Sequence, residues 1–182
     1  MDKSVYYLPG ANGRLETGLG EGLASRGFRV WGRATVGDFK KLSFQEQVDV
    51  IARDLQGPLW HPEARVVANS YGGYLFLHAQ LQMPAYIGRV LLLSPILGAF
   101  ENEERGQYFV PPRADRIMDA MKAGIFNAPN AFEVHVGTND WQSTPTEVEE
   151  LGFRTGATVH LADGLGHQLG KEYVSRVLDR WL

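Results

Sequence analysis

One short segment of the sequence has the form of a nucleophile-bearing turn. Ser70 lies in Ala68–Gly72, ANSYG, which matches the nucleophile-elbow motif G-x-S-x-G with alanine at its first position. Small residues two before and two after the serine let a strand and a helix approach closely at such a sharp turn. The turn also leaves the serine at a helix N-terminus, where partial positive charge favours a developing oxyanion. The motif predicts that Ser70 is a nucleophile; the alternative is that Ser70 only caps the helix.

A serine hydroxyl needs a neighbouring base, and a histidine later in the chain could supply one. His167 lies in the glycine-flanked segment GLGH, after the last predicted strand. Asp140, in GTND after the fifth strand, could accept a hydrogen bond from His167 and fix its tautomer. Asp163 competes for this role, and either aspartate could simply form a turn. The remaining histidines, which fit roles inside strands, a helix or a loop better, are His61, His78, His135 and His160.

The loop after the first predicted strand is the candidate for binding a developing oxyanion. It has the sequence PGANG, Pro9–Gly13. The backbone N–H of Ala11, with Asn12 as second choice, and the N–H of Tyr71 could together form an oxyanion hole. The alternative is that the segment is only a glycine turn.

The elements that must position these residues follow from a regular alternation of apolar runs and helical patterns. A capping box begins at Ser43, and Pro145 stands at the first position of another helix. The βα repetition predicts a three-layer α/β/α sandwich with a roughly six-stranded parallel sheet. Ligands bind at the carboxyl ends of such strands, where Ser70, Asp140 and His167 are expected to meet. The runs, read as strands buried on both faces, are Val5–Leu8, Phe28–Trp31, Arg65–Ala68, Arg89–Leu93, Phe132–Val136 and Thr158–Leu161.

Length and composition limit the classes of function. The 182 residues, 44% hydrophobic and 21% charged, predict one domain over 1–182. The net charge of −3 gives no reason to expect nucleic acid or membrane as a partner. Cysteine is absent, and the phosphate-binding glycine motifs and H-E-x-x-H do not occur. We therefore expect no cofactor and no metal. No signal peptide or membrane span is recognisable, so a cytoplasmic location is expected; the sequence identifies no protein partner.

Five segments of the sequence together resemble a known family. YYLPGANG, VVANSYGGYL, LLLSP, VHVGTNDWQSTP and LADGLGHQL are similar to compact α/β-hydrolases, typified by the retinoblastoma-binding serine hydrolase and small bacterial esterases. The chain order Ser, Asp, His is also that of α/β-hydrolases. The resemblance implies a minimal α/β-hydrolase fold without a cap domain. It implies that Ser70 is the nucleophile, Asp140 the acid and His167 the base. It also implies that the backbone amides of Ala11 and Tyr71 form the oxyanion hole.

The expected function is a serine hydrolase that cleaves a small or medium carboxylic ester or thioester through an acyl-enzyme on Ser70. An amide or peptide hydrolase with the same triad, or a non-catalytic interaction module on this scaffold, are the alternatives. Residues 94–112, after the fourth strand, are too few for a cap domain and are expected to form a short flap. The residues expected to line the acyl pocket, unless they are only core, are Asn12, Leu97, Phe100, Tyr108, Trp141 and Leu165.

Overall fold

The six apolar runs form a single parallel sheet at the centre of the molecule. The computed structural model describes residues 3–182. Its strands are β1 (Ser4–Leu8), β2 (Arg29–Gly32), β3 (Arg65–Asn69), β4 (Arg89–Leu93), β5 (Phe100–Asn102), β6 (Gln107–Phe109), β7 (Ala131–Gly137) and β8 (Thr158–Ala162). The sheet order is β2-β1-β3-β4-β7-β8, and all neighbours are parallel. All six predicted strands are therefore present, and β5 and β6 form a separate antiparallel pair.

The two helices for which the sequence predicts capping residues begin at those residues. The Ser43 hydroxyl accepts from the Glu46 N–H while the Glu46 carboxylate accepts from the Ser43 N–H, which completes the capping box. The first helix begins directly after Gly18, whose φ is 57°. No helix within residues 3–182 is long and apolar enough to cross a membrane. The helices are α1 (Leu19–Ala24), α2 (Gly37–Lys41), α3 (Phe44–Gln56), α4 (Tyr71–Gln80), α5 (Arg116–Lys122), α6 (Pro145–Thr155) and α7 (Lys171–Trp181).

Each face of the sheet has its own hydrophobic core. In β1, Tyr6 and Leu8 face one core while Val5 and Tyr7 face the other, as the period of two in a strand requires. Helices α3, α4, α5 and α6 contribute buried side chains to the first core, and α1 and α7 contribute to the second. The three-layer α/β/α sandwich predicted from the sequence is thus confirmed.

Residues 94–112, the segment expected to form a short flap, contain regular secondary structure. Ile96 and Leu97 enter the first core. The strands β5 and β6 then form a hairpin, closed by a short 3₁₀ turn and by Gly106 in the left-handed region. The described residues contain no cap domain. The sequence does not predict this hairpin, because each strand has only three residues and the turn between them is strongly charged.

His78 is a buried titratable group in the larger core. Its ring packs edge-on against Phe44 and Tyr74, with centroids 4.9 and 4.5 Å away. Within the described chain, its buried Nε2 has no hydrogen-bond partner. Burial, together with the charges of Arg116 and Arg113, lowers the pKa of His78 from 6.5 to about 4. The folded protein therefore holds this imidazole neutral.

The free energy of unfolding should consequently depend on His78 in mildly acidic solution. Between pH 6.5 and about 4, the unfolded chain binds this proton and the folded chain does not. The contribution is therefore complete above the unfolded pKa and is lost as the pH falls towards 4, by on the order of 3 kcal/mol. His78→Phe should reduce the slope of stability against pH in this interval, measured by urea unfolding. Equal slopes for the two proteins would contradict the assignment.

Candidate active site

Ser70 is the single residue between β3 and α4. Its backbone has φ 52° and ψ −121°, a conformation that costs free energy for a residue with a side chain. Neighbouring elements hold it there: the Ser70 N–H donates to the Leu93 carbonyl at 3.0 Å, and its carbonyl accepts from the Ile96 N–H at 3.1 Å. A Cβ at Gly72 would lie 2.1 Å from the Leu8 carbonyl oxygen, so only glycine lets α4 come this close to β1. The serine side chain is thereby placed at the carboxyl end of the sheet.

A continuous hydrogen-bonded chain runs from this serine to a buried carboxylate. The distance from Ser70 Oγ to His167 Nε2 is 2.8 Å. His167 Nδ1 lies 3.0 Å from both oxygens of Asp140. Because an ionised carboxylate only accepts, Nδ1 carries the ring proton and Nε2 is the acceptor for the serine hydroxyl. This is the arrangement in which an imidazole can take the proton of an attacking hydroxyl.

Backbone amides fix the orientation of the Asp140 carboxylate. Its side chain is fully buried, and its Oδ1 accepts from the N–H groups of Gln142 and Ser143, both at 2.9 Å. The buried Ser143 hydroxyl in turn donates to the Pro95 carbonyl at 2.5 Å, which joins this loop to the segment after β4. Asp163, the competing candidate, is exposed, and no hydrogen bond in the described structure joins it to His167.

The loops that carry the acid and the base are also tied to each other. The Thr138 N–H donates to the Ala162 carbonyl at 3.0 Å, and the Asn139 N–H donates to the Leu165 carbonyl at 2.8 Å. In the other direction, the Gly164 N–H donates to the Thr138 hydroxyl at 2.8 Å. Because β7 and β8 are adjacent, these bonds continue their pairing past the strand ends. The relative positions of Asp140 and His167 are therefore fixed by backbone contacts.

The PGANG loop is held beside Ser70 by a threonine that the sequence analysis missed. Buried Thr35, after β2, accepts from the Gly13 N–H at 2.8 Å with its hydroxyl and donates the hydroxyl proton to the Gly10 carbonyl. A Cβ at Gly10 would lie 3.2 Å from the Ser70 Cβ. The Ala11 N–H makes no hydrogen bond to any of the described residues, which leaves it free for a ligand. No motif marks Thr35, because its partners are more than twenty residues earlier in the chain.

Aromatic side chains connect the hairpin to the nucleophile turn. Phe100 lies 5.6 Å from Trp141 and 5.2 Å from Phe109, measured between ring centroids. Phe109 also packs edge-on against Tyr71, the residue after Ser70, at 6.4 Å. These rings form an apolar wall from the hairpin to the serine.

Other residues predicted to line the pocket lie elsewhere. Leu97 is 1% exposed and belongs to the larger core. Tyr108 is 72% exposed, because the alternation along β6 turns it away from the face that Phe109 shares with Phe100. Asn12 is exposed, and its side-chain oxygen accepts from the Lys40 ammonium at 2.7 Å. Leu165 is partly buried against the core beneath α7. Among the aromatic residues expected near the pocket, the structure thus brings Phe100, Phe109 and Trp141 together, and Tyr108 faces away from them.

Comparison with known proteins identifies the fold. No family model and no curated protein matches the chain. Among solved structures, the ydeN gene product of B. subtilis has 15% identity, a TM-score of 0.67 and 97% coverage of both chains. A monoacylglycerol lipase of Paleococcus ferrophilus has 15% identity and a TM-score of 0.66, covering 98% of this chain and 93% of that one. For esterase PE8 the identity is 14% and the TM-score 0.62, with 100% and 93% coverage. The chain therefore has the α/β-hydrolase fold that its sequence predicts.

Proposed function

We propose that the protein is a serine hydrolase that cleaves small or medium carboxylic esters or thioesters through an acyl-enzyme on Ser70. The observation that carries this proposal is the hydrogen-bonded chain from Ser70 Oγ through His167 to buried Asp140. The lipase and the esterase among the structural neighbours support hydrolysis as the general reaction. Ester and thioester are preferred to amide because their leaving groups depart more easily.

In the first half of the reaction, Ser70 Oγ attacks the substrate carbonyl carbon while its proton moves to His167 Nε2. Asp140 stabilises the imidazolium that results, through the hydrogen bond from Nδ1. The carbonyl oxygen becomes an oxyanion, and the N–H groups of Ala11 and Tyr71 donate to it. One such donor typically contributes about 10²–10³-fold in rate. Thr35 supports this step by holding the loop that carries Ala11.

In the second half, His167 returns its proton to the leaving alcohol or thiol as the tetrahedral intermediate collapses. The acyl group then remains on Ser70 Oγ as an ester. A water molecule gives a proton to His167 Nε2 and attacks the acyl carbon, and His167 protonates Ser70 Oγ when the acid leaves. The products are a carboxylic acid and an alcohol or thiol, and the free enzyme is restored.

The acyl chain of the substrate should lie against the aromatic wall. Phe109 packs against Tyr71, the residue after Ser70, and Phe100 packs against both Phe109 and Trp141. Burial raises the pKa of the Tyr71 hydroxyl, so this side chain stays neutral beside the acyl group. A hairpin of ten residues offers a wall rather than an enclosing lid, which favours short or medium acyl chains.

A fluorophosphonate probe tests the nucleophile directly, since it reacts with an activated serine. Ser70→Ala should lose labelling, and its ester turnover should fall by at least about 10⁴-fold. Ser94→Ala is the matched control, because Ser94 also follows a strand, β4, with φ 44°, but is only 2% exposed. Labelling that persists in Ser70→Ala would contradict the assignment. A folded wild type that takes no label would instead favour a non-catalytic interaction module.

Two aspartate variants distinguish the acid. Asp140→Asn should fold yet lose about 10⁴-fold in kcat, because the amide favours the wrong tautomer of His167. Asp163→Asn should keep nearly all activity, since Asp163 is exposed and, among the described residues, has no hydrogen bond or ion pair with the histidine. Steady-state kinetics on one ester measures both, with thermal unfolding as the check of folding. The reverse ranking would transfer the role to Asp163.

The two faces of the hairpin should affect substrate preference differently. Phe109→Ala should reduce the gain in kcat/KM from each added acyl methylene, which in wild type is at most about 0.8 kcal/mol, or about fourfold. Tyr108→Ala is the control from the adjacent position, because its side chain faces solvent. A series of esters of increasing acyl length measures both effects. Equal length profiles in all three proteins would contradict the proposed wall, and a wild-type rise continuing to long chains would contradict a short wall.

A further inference from the structure

A second group of chemically active side chains lies on the sheet face beneath α7. Glu133 and His135 are two residues apart on β7 and therefore point to the same face. His160 on β8 pairs directly with His135 in the parallel register, and their rings stack with centroids 4.5 Å apart. The group borders a surface groove of about 300 Å³, lined by both histidines and by side chains of α7. Neither histidine takes part in the chemistry at Ser70.

The donor atoms of these three side chains converge on one point. His135 Nε2 lies 2.7 Å and His160 Nε2 lies 3.5 Å from Glu133 Oε1. One ligand atom from each residue lies within 4.8 Å of the others. Ligand atoms around a tetrahedral zinc ion are about 3.3 Å apart, given bonds of about 2.0–2.1 Å. Shifts of about 1 Å would therefore place all three around one ion.

We propose that Glu133, His135 and His160 form a binding site for a divalent transition-metal ion of the zinc type. Two imidazoles and one carboxylate are a donor set that Zn²⁺ accepts, and the adjoining groove leaves room for water as the fourth ligand. No metal was expected from the sequence, because these donors come from two strands and show no motif spacing.

Tyr173 on α7 supplies the supporting contact that a metal-bound histidine requires. Its hydroxyl lies 2.7 Å from His135 Nδ1. Without metal, His135 Nε2–H donates to the Glu133 carboxylate, and Nδ1 accepts from the Tyr173 hydroxyl. With metal on Nε2, the ring proton moves to Nδ1 and donates to the Tyr173 oxygen. The same contact therefore serves both tautomers and orients the ring.

Arg180 would compete with a metal ion for the Glu133 carboxylate. Its guanidinium donates to Glu133 Oε1, the oxygen that both histidines approach. The Arg180 side chain is 55% exposed, so it can move to solvent or to the other carboxylate oxygen. Arg176, which also lines the groove, adds a second positive charge. Metal binding should therefore strengthen when Arg180 is neutralised, whereas a site made only for the ion pair would lose structure.

Direct titration of the chelator-treated full chain with Zn²⁺ tests the site without any measurement of activity. Calorimetry should give one zinc per chain, and zinc should raise the thermal unfolding midpoint. His160→Ala should weaken binding by at least about 100-fold, Tyr173→Phe by about 10-fold, and Arg180→Gln should strengthen it by about fivefold.

His160 is the ligand to remove because its side chain is 40% exposed, so the variant should fold. Glu133→Gln tests the same ligand set without removing a ring.

The controls separate this site from the other histidines. His167→Ala should bind zinc like wild type, which excludes the His167–Asp140 pair as the binder, and His61→Ala should do the same. Zinc binding that is absent in wild type, or equal in wild type, His160→Ala and Glu133→Gln, would overturn the proposal. Loss of binding in His167→Ala would overturn it too.

Discussion

The backbone of Ser70 is the constraint on which the candidate active site depends. A residue with a side chain is unfavourable at φ 52°, so the turn persists only because its surroundings hold it. Bonds to Leu93 and Ile96 on the β4 side hold the peptide groups, and the tight contact of Gly72 with Leu8 holds the helix against β1. Contacts from both strands that flank β3, namely β1 and β4, therefore hold the Ser70 backbone in its strained conformation.

The order of the sheet explains how three distant residues meet. Parallel strands end at one edge of the sheet, so the segments that follow β3, β7 and β8 all lie on the same side of the molecule. β7 and β8 are neighbours, and backbone hydrogen bonds between the loops that follow them hold Asp140 close to His167, independently of any contact with Ser70. Only one further contact, from His167 to Ser70, is then needed across β4. The Ser143 bond to Pro95 joins the acid loop to the segment after β4.

The sequence predicted the strands, their parallel arrangement and the serine, aspartate and histidine that meet, because these follow from local patterns and from one motif. It could not predict contacts that depend on tertiary register. Tyr108 and Phe109 are adjacent aromatic residues in the sequence, and only the hairpin pairing decides which one faces Phe100. Leu97 lies in a predicted loop in the sequence, and only the folded structure shows that its side chain packs in the larger core. Thr35 carries no signal at all, since its role arises from where β2 ends beside the PGANG loop.

The β7–β8 pair has two separate chemical surfaces, and edge geometry explains why they belong together. β8 is the last strand of the sheet, so among the described strands it pairs with β7 alone. On the face beneath α7, Glu133, His135 and His160 lie across this same pairing. An ion bound there would join the two strands through side chains, adding to the ladder hydrogen bonds. Asp140 and His167 lie in the loops that follow β7 and β8. An interaction that restrains these two strands, such as a bound ion, therefore also limits the motion of Asp140 relative to His167.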